Sequence, residues 1–103
     1  MSNQLHKTLE EAIANAPFEP VGAYCEVNPI GSQAEKSNQL LAMVRQANAA
    51  GLKVELLAAE ATFASVGMDG LNEFDGAAIH HSGSADQPGY FRVKVCRPIR
   101  LRS

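Results

Sequence analysis

The chain predicts an α/β (α+β) domain built as a two-layer sandwich, with a mixed sheet of about four strands and two or three helices mainly on one face. Three observations lead there. Apolar residues recur at helical spacing between Leu5 and Ala16 and again between Ala34 and Ala47. They alternate at strand spacing over Val21–Val27, Leu52–Leu56 and Phe91–Val95, and the two kinds of segment interleave along the chain. A length of 103 residues at 46% apolar and 19% charged composition suits one domain with one core, so residues 1–103 are read as a single domain ending in a loosely packed basic tail at 98–103.

Leu5, Leu9, Ala12, Ile13 and Ala16 form the apolar stripe of a first helix, with His6, Lys7, Glu10, Glu11 and Asn15 between them, and Pro17 stops it. Pro17 and Pro20 bracket a linker. Val21, Ala23, Cys25 and Val27 then alternate with Gly22, Tyr24 and Glu26 as a half-buried strand does, which puts Cys25 on the core side. After the turn Asn28-Pro29-Ile30-Gly31, Ser32 and Glu35 have the spacing of a capping box and open a second helix. Its stripe is Ala34, Leu40, Leu41, Val44 and Ala47, and Gly51 is placed to end it.

Leu52, Val54 and Leu56 give the next strand, so strand, helix and strand succeed one another in the order of a right-handed crossover with parallel strands. Ala58–Val66 is a short third helix carrying Phe63 and Val66. Gly67, Gly70 and Gly76 break up the next stretch of chain, leaving Met68, Leu71 and Phe74 to anchor an irregular segment. Ala77–His81 is a short strand, joined by the polar loop 82–89 to a strand with Phe91, Val93 and Val95 inward and Arg92 and Lys94 outward; the pair reads as a C-terminal hairpin. Pro98 ends that strand or sets it at a sheet edge, with Ile99 and Leu101 packing loosely or against another chain.

Charge is distributed unevenly. Arg92, Lys94, Arg97, Arg100 and Arg102, five of nine cationic side chains, fall after Tyr90, whereas all eleven carboxylates precede it. A formal net charge of −2 thus divides into an acidic body and a basic tail.

Motifs for chemistry are sparse. GxxxxGK[ST] and GxGxxG do not occur, and Gly31-Ser32 reads as ordinary helix capping. Asp69, Asn72, Glu73 and Asp75 miss the alternation of a calcium loop and read as turn formers. His80 and His81 are adjacent on a strand, so they point to opposite faces and do not chelate one ion together. Cys25 and Cys96 are too few for a disulfide framework and read as buried, reduced thiols, although Lys94 and Arg97 flank Cys96 as a thiolate requires. No catalytic residue, metal or cofactor is assigned.

The N-terminal residues lack the cationic start and apolar run of a signal peptide, and no stretch approaches the ~20 apolar residues of a membrane span. A soluble, cytoplasmic protein with no membrane partner is expected, of bacterial or phage character in its Ala, Gln and Asn usage. The expected function is that of a small non-enzymatic regulatory, inhibitor or adaptor protein that acts by protein–protein binding through a basic C-terminal edge strand. On that reading Arg92, Lys94, Arg97, Arg100 and Arg102 orient an acidic protein surface or a second copy in a homodimer, and Ile99 and Leu101 supply apolar contact. The alternatives are a nucleic-acid-binding module using the same strand, and a small thiol enzyme or ligand-binding protein centred on Cys96 and His80.

Overall fold

Among the described residues, strands and helices alternate as far as α3 and three strands follow: β1 (Gln4–His6), α1 (Leu9–Ala14), β2 (Ala23–Val27), α2 (Gln33–Ala49), β3 (Lys53–Ala58), α3 (Glu60–Ala64), β4 (Glu73–Phe74), β5 (Ala77–His81) and β6 (Phe91–Cys96). They are taken from a computed structural model, which describes residues 4–81 and 89–99. The strands make one sheet in the order β1-β2-β6-β3-β5-β4. β1 runs parallel to β2 and β3 parallel to β5, β6 is antiparallel to both β2 and β3, and β4 is antiparallel to β5.

The mixed α and β class is as expected, but the sheet has six strands where about four were expected. The additional two are the shortest. Leu5 belongs to β1 and not to the first helix, because Thr8 caps α1: its Oγ1 accepts from the Glu11 amide at 3.1 Å, which fixes the helix start at Leu9. β4 spans two residues, too few for any alternation to show.

The capping box of α2 forms as its sequence predicts. The Glu35 amide donates to Ser32 Oγ at 3.2 Å and the Ser32 amide to Glu35 Oε1 at 2.8 Å, and Gly51 takes the left-handed φ of 82° just past the helix end. The crossover it makes differs from expectation. β2 and β3 point the same way, but β6 lies between them, so β2-α2-β3 is a split βαβ unit.

The expected C-terminal hairpin does not form, since β3 separates β5 from β6. Nor is β6 an edge strand; it stands inside the sheet, with ladder partners on both sides. The physical reason is its apolar face. Phe91, Val93 and Val95 are fully buried, and only a central position covers all three while leaving no β6 ladder group unpaired.

One face of the sheet carries Ala23, Cys25, Val54, Leu56, Ala58, Ala77, Phe91, Val93 and Val95, and these join Leu9, Ala12, Leu40, Val44, Ala47 and Phe63 of the helices in one buried cluster. Phe63 meets Phe91 edge-on, with ring centres 5.2 Å apart. By strand alternation the opposite face presents Leu5, Tyr24, Glu26, Arg92, Lys94, Glu55, Leu57 and His80, without a covering layer among the described residues. No described helix is long and apolar enough to cross a membrane.

The chain leaving β6 is tied down over its described part. The Arg97 amide donates to the Pro17 carbonyl at 2.7 Å, and the Glu19 amide donates to the Arg97 carbonyl at 2.9 Å. The Ile99 amide then donates to Glu19 Oε2 at 2.8 Å. Backbone at 97 and 99 is therefore held against the 17–19 linker, and residues 100–103 of the basic tail expected at 98–103 lie outside the described residues.

Candidate protein-binding groove

Three chain breaks converge at one end of the sheet. Pro17 ends the α1 region, Gly51 turns α2 into β3, and Pro98 prevents β6 from continuing its ladder. Between them lies a groove of about 770 Å³ lined by Ile13, Phe18, Ala50, Gly51, Leu52, Arg97, Pro98 and Ile99. Two large apolar side chains share its lining while staying open to solvent: Phe18 and Ile99 keep 59% and 51% of their surface exposed.

Arg97 is the ionic element of this groove. Its guanidinium carbon lies 5.8 Å from the centre of the Phe18 ring, a cation–π contact, and no described carboxylate is within ion-pair distance of it. The neighbouring Glu19 is already engaged, by Lys53 Nζ at 2.8 Å through one oxygen and the Ile99 amide through the other. The Lys53 hydrogen bond, and after it the Ile99 amide, holds the Glu19 carboxyl below its ordinary range. The same pairing raises the Lys53 ammonium above its ordinary range.

Arg92 and Lys94, expected to orient a partner from an edge, occupy a different surface. Both lie on the open face of the central strand, and each has a local acidic neighbour. Arg92 Nη2 is 3.0 Å from Glu26 Oε2 on β2, and its guanidinium sits 5.9 Å from the Tyr24 ring centre. Lys94 Nζ donates to the Pro20 carbonyl at 3.0 Å and stands 3.6 Å from Glu55 Oε2 on β3. The Lys94 stem runs over Gly22, where an added Cβ would come within 2.5 Å of it. His80 Nε2 reaches the same Glu55 from the other side at 3.5 Å.

The seven residues expected at a partner site thus divide. Arg97 and Ile99 meet in the groove, Arg92 and Lys94 lie on the sheet face, and Arg100, Leu101 and Arg102 lie outside the described residues. Phe18 and Ile13 join the groove without having been expected at a partner site, Ile13 having been expected only on the apolar stripe of the first helix. In the sequence Phe18 reads as linker, although a phenylalanine between two prolines has no helix or strand pattern to bury it, and that is the available signal.

The two thiols are free and face away from each other. Cys25 packs into the core opposite Val93, while Cys96, an odd number of residues further along β6, turns to the other face opposite Lys53. Burial pushes Cys25 up to about 11, with the Glu10 carboxylate adding to it. Cys96 is also raised by burial, against the opposing pull of Lys94. His80 pairs with Leu57, four residues along β3 from the Lys53 that faces Cys96, or about 13 Å at strand rise. The fold therefore does not bring a Cys96–His80 pair together. Among the described residues no group of three His, Cys, Asp or Glu side chains is close enough to hold a metal ion.

No family model, no curated protein and no solved structure matches the chain.

Proposed function

We propose that this protein is a non-enzymatic regulatory or adaptor module that binds a protein partner by taking an acidic, apolar segment into the groove at Phe18, Arg97 and Ile99. The observation that carries the reading is Arg97 itself: a cation without a described carboxylate, stacked on the half-exposed Phe18 ring in a groove that the half-exposed Ile99 also lines. An apolar side chain entering between Phe18 and Ile99 leaves water, and a carboxylate next to it meets the guanidinium in the same step. The sheet face is the weaker contact surface for nucleic acid or an acidic protein, because Glu26 and Glu55 stand beside Arg92 and Lys94.

The test is a titration of the ¹⁵N-labelled protein with two short capped peptides that share a central leucine, one flanked by glutamates and the other by lysines. The glutamate peptide is expected to shift the amides of Ile13, Phe18, Leu52 and Ile99, and Arg97→Glu is expected to transfer the preference to the lysine peptide. Equal response to both peptides, or shifts confined to Tyr24, Arg92 and Lys94, would overturn the assignment.

A further inference from the structure

The chain itself carries a segment of the chemistry that the groove accepts. Between α3 and β4 the backbone exposes Leu71, 41% open to solvent, with Asp69 two residues before it and Glu73 two residues after. Leu71 was expected to anchor this segment inward. Met68 does so instead, fully buried, and its carbonyl accepts the Leu71 amide at 3.3 Å. The Asn72 carbonyl accepts the Ile79 amide at 3.0 Å, so both sides of the loop are fixed to the body. The result is a preformed apolar knob flanked by carboxylates, and preorganisation lowers the entropy lost on docking.

The carboxylates are available. Asp75 is taken up by Arg45 at 3.3 Å, but Asp69 and Glu73 have no ion-pair partner among the described residues. At the groove, Arg97 has the complementary deficit. The two surfaces are held apart within one molecule, because β3 and β5 separate β6 from β4 by three strand spacings, about 14 Å.

We infer that the groove of one copy takes the Asp69–Glu73 loop of a second copy, with Leu71 between Phe18 and Ile99 and the flanking carboxylates at Arg97. This rests on the proposed binding role of the groove and names an occupant for it. The contact is heterologous, since knob and groove are different patches of the same surface, and it repeats from copy to copy without the closure of a two-fold dimer. One leucine and its flanking charges make a small interface, so association is weak, concentration-dependent and reduced by salt.

The experiment is sedimentation equilibrium of the full chain from micromolar to millimolar concentration. The weight-average mass is expected to climb from 11.0 kDa past that of a dimer without a plateau, and to fall back as salt is added. Arg97→Glu removes the groove's charge, and Leu71→Lys removes the knob; both side chains are exposed, and each variant alone is expected to stay monomeric. Mixed in equal amounts they are expected to recover a species that stops at the dimer, because one retains only a knob and the other only a groove. A mass fixed at the monomer throughout, or a dimer insensitive to both substitutions, would overturn the proposal. The glutamate peptide separates the two readings: groove shifts with a monomeric protein leave the groove standing without self-association, whereas no groove shifts remove both.

Discussion

The groove and the open sheet face each carry cations from the same short C-terminal stretch, yet they present them in opposite electrostatic states. On the sheet face, Arg92 and Lys94 point outward from a strand whose neighbours on both sides supply Glu26 and Glu55 at facing or adjacent positions. At the groove, Arg97 has left the ladder, so no cross-strand carboxylate is placed opposite it. A run of cations in sequence is therefore not one surface. Position in the sheet decides which charges are compensated at home and which remain for a partner.

The comparison breaks most severely if β6 is not central. Phe91→Ala is expected to cost about 3–5 kcal/mol in urea denaturation, because the ring is buried between the sheet and Phe63. A loss under about 1 kcal/mol would mean that β6 lies at the periphery and that its cations are not held between two acidic neighbours. Next in size is Gly22→Val, whose side chain must displace the Lys94 stem from its course to the Pro20 carbonyl. A loss of about 1–3 kcal/mol is expected from the overpacking, and Lys94→Ala in the same chain should recover part of it.

Thiol chemistry tests the same arrangement. With Cys25 at about 11 and Cys96 raised as well, both are mostly protonated at neutral pH, and maleimide labelling of the folded protein should be slow for both and rise on unfolding. Rapid labelling of Cys96 alone would restore the thiol-enzyme alternative. The pH dependence of the groove is smaller and has a definite sign. Glu19 is depressed in the folded state, so its contribution is complete above the ordinary value of 4.5 and is lost as pH falls through its lower folded value. Lys53 is raised, so its contribution is complete below 10.5 and is lost as pH rises through its higher folded value. The Ile99 amide should consequently gain exchange freedom only in acid below pH 4.5, and Glu19→Gln should give it that freedom at neutral pH. The smallest effect is expected from Glu26→Gln: the ion pair with Arg92 is exposed, and its loss should change stability by no more than about 1 kcal/mol.

Long periodic elements are legible in the sequence alone. The α2 stripe, its capping box and Gly51 act through spacing and local hydrogen bonds, and these depend on neighbours within a few residues. The inward parity of Cys25 and of Phe91, Val93 and Val95 comes likewise from strand alternation. Strand order is not legible, because whether β6 pairs with β5 or inserts between β2 and β3 depends on which arrangement buries more apolar surface across the whole domain. That one difference turns an expected edge into a centre and moves Arg92 and Lys94 away from the contact site. Of the groove, Arg97 and Ile99 are anticipated from charge and apolar character, while Phe18 and Ile13 are not, since the site forms only when residues 13–18 and 97–99 meet at the sheet end.

The most direct test of the central claim compares two charge reversals in one binding assay, fluorescence anisotropy of a labelled glutamate-flanked leucine peptide. Arg97→Glu is expected to weaken binding by about tenfold or more, equivalent to roughly 1.4 kcal/mol, while Arg92→Glu on the sheet face leaves it within about twofold. A loss with Arg92→Glu and none with Arg97→Glu would place the contact on the open sheet face and contradict the account.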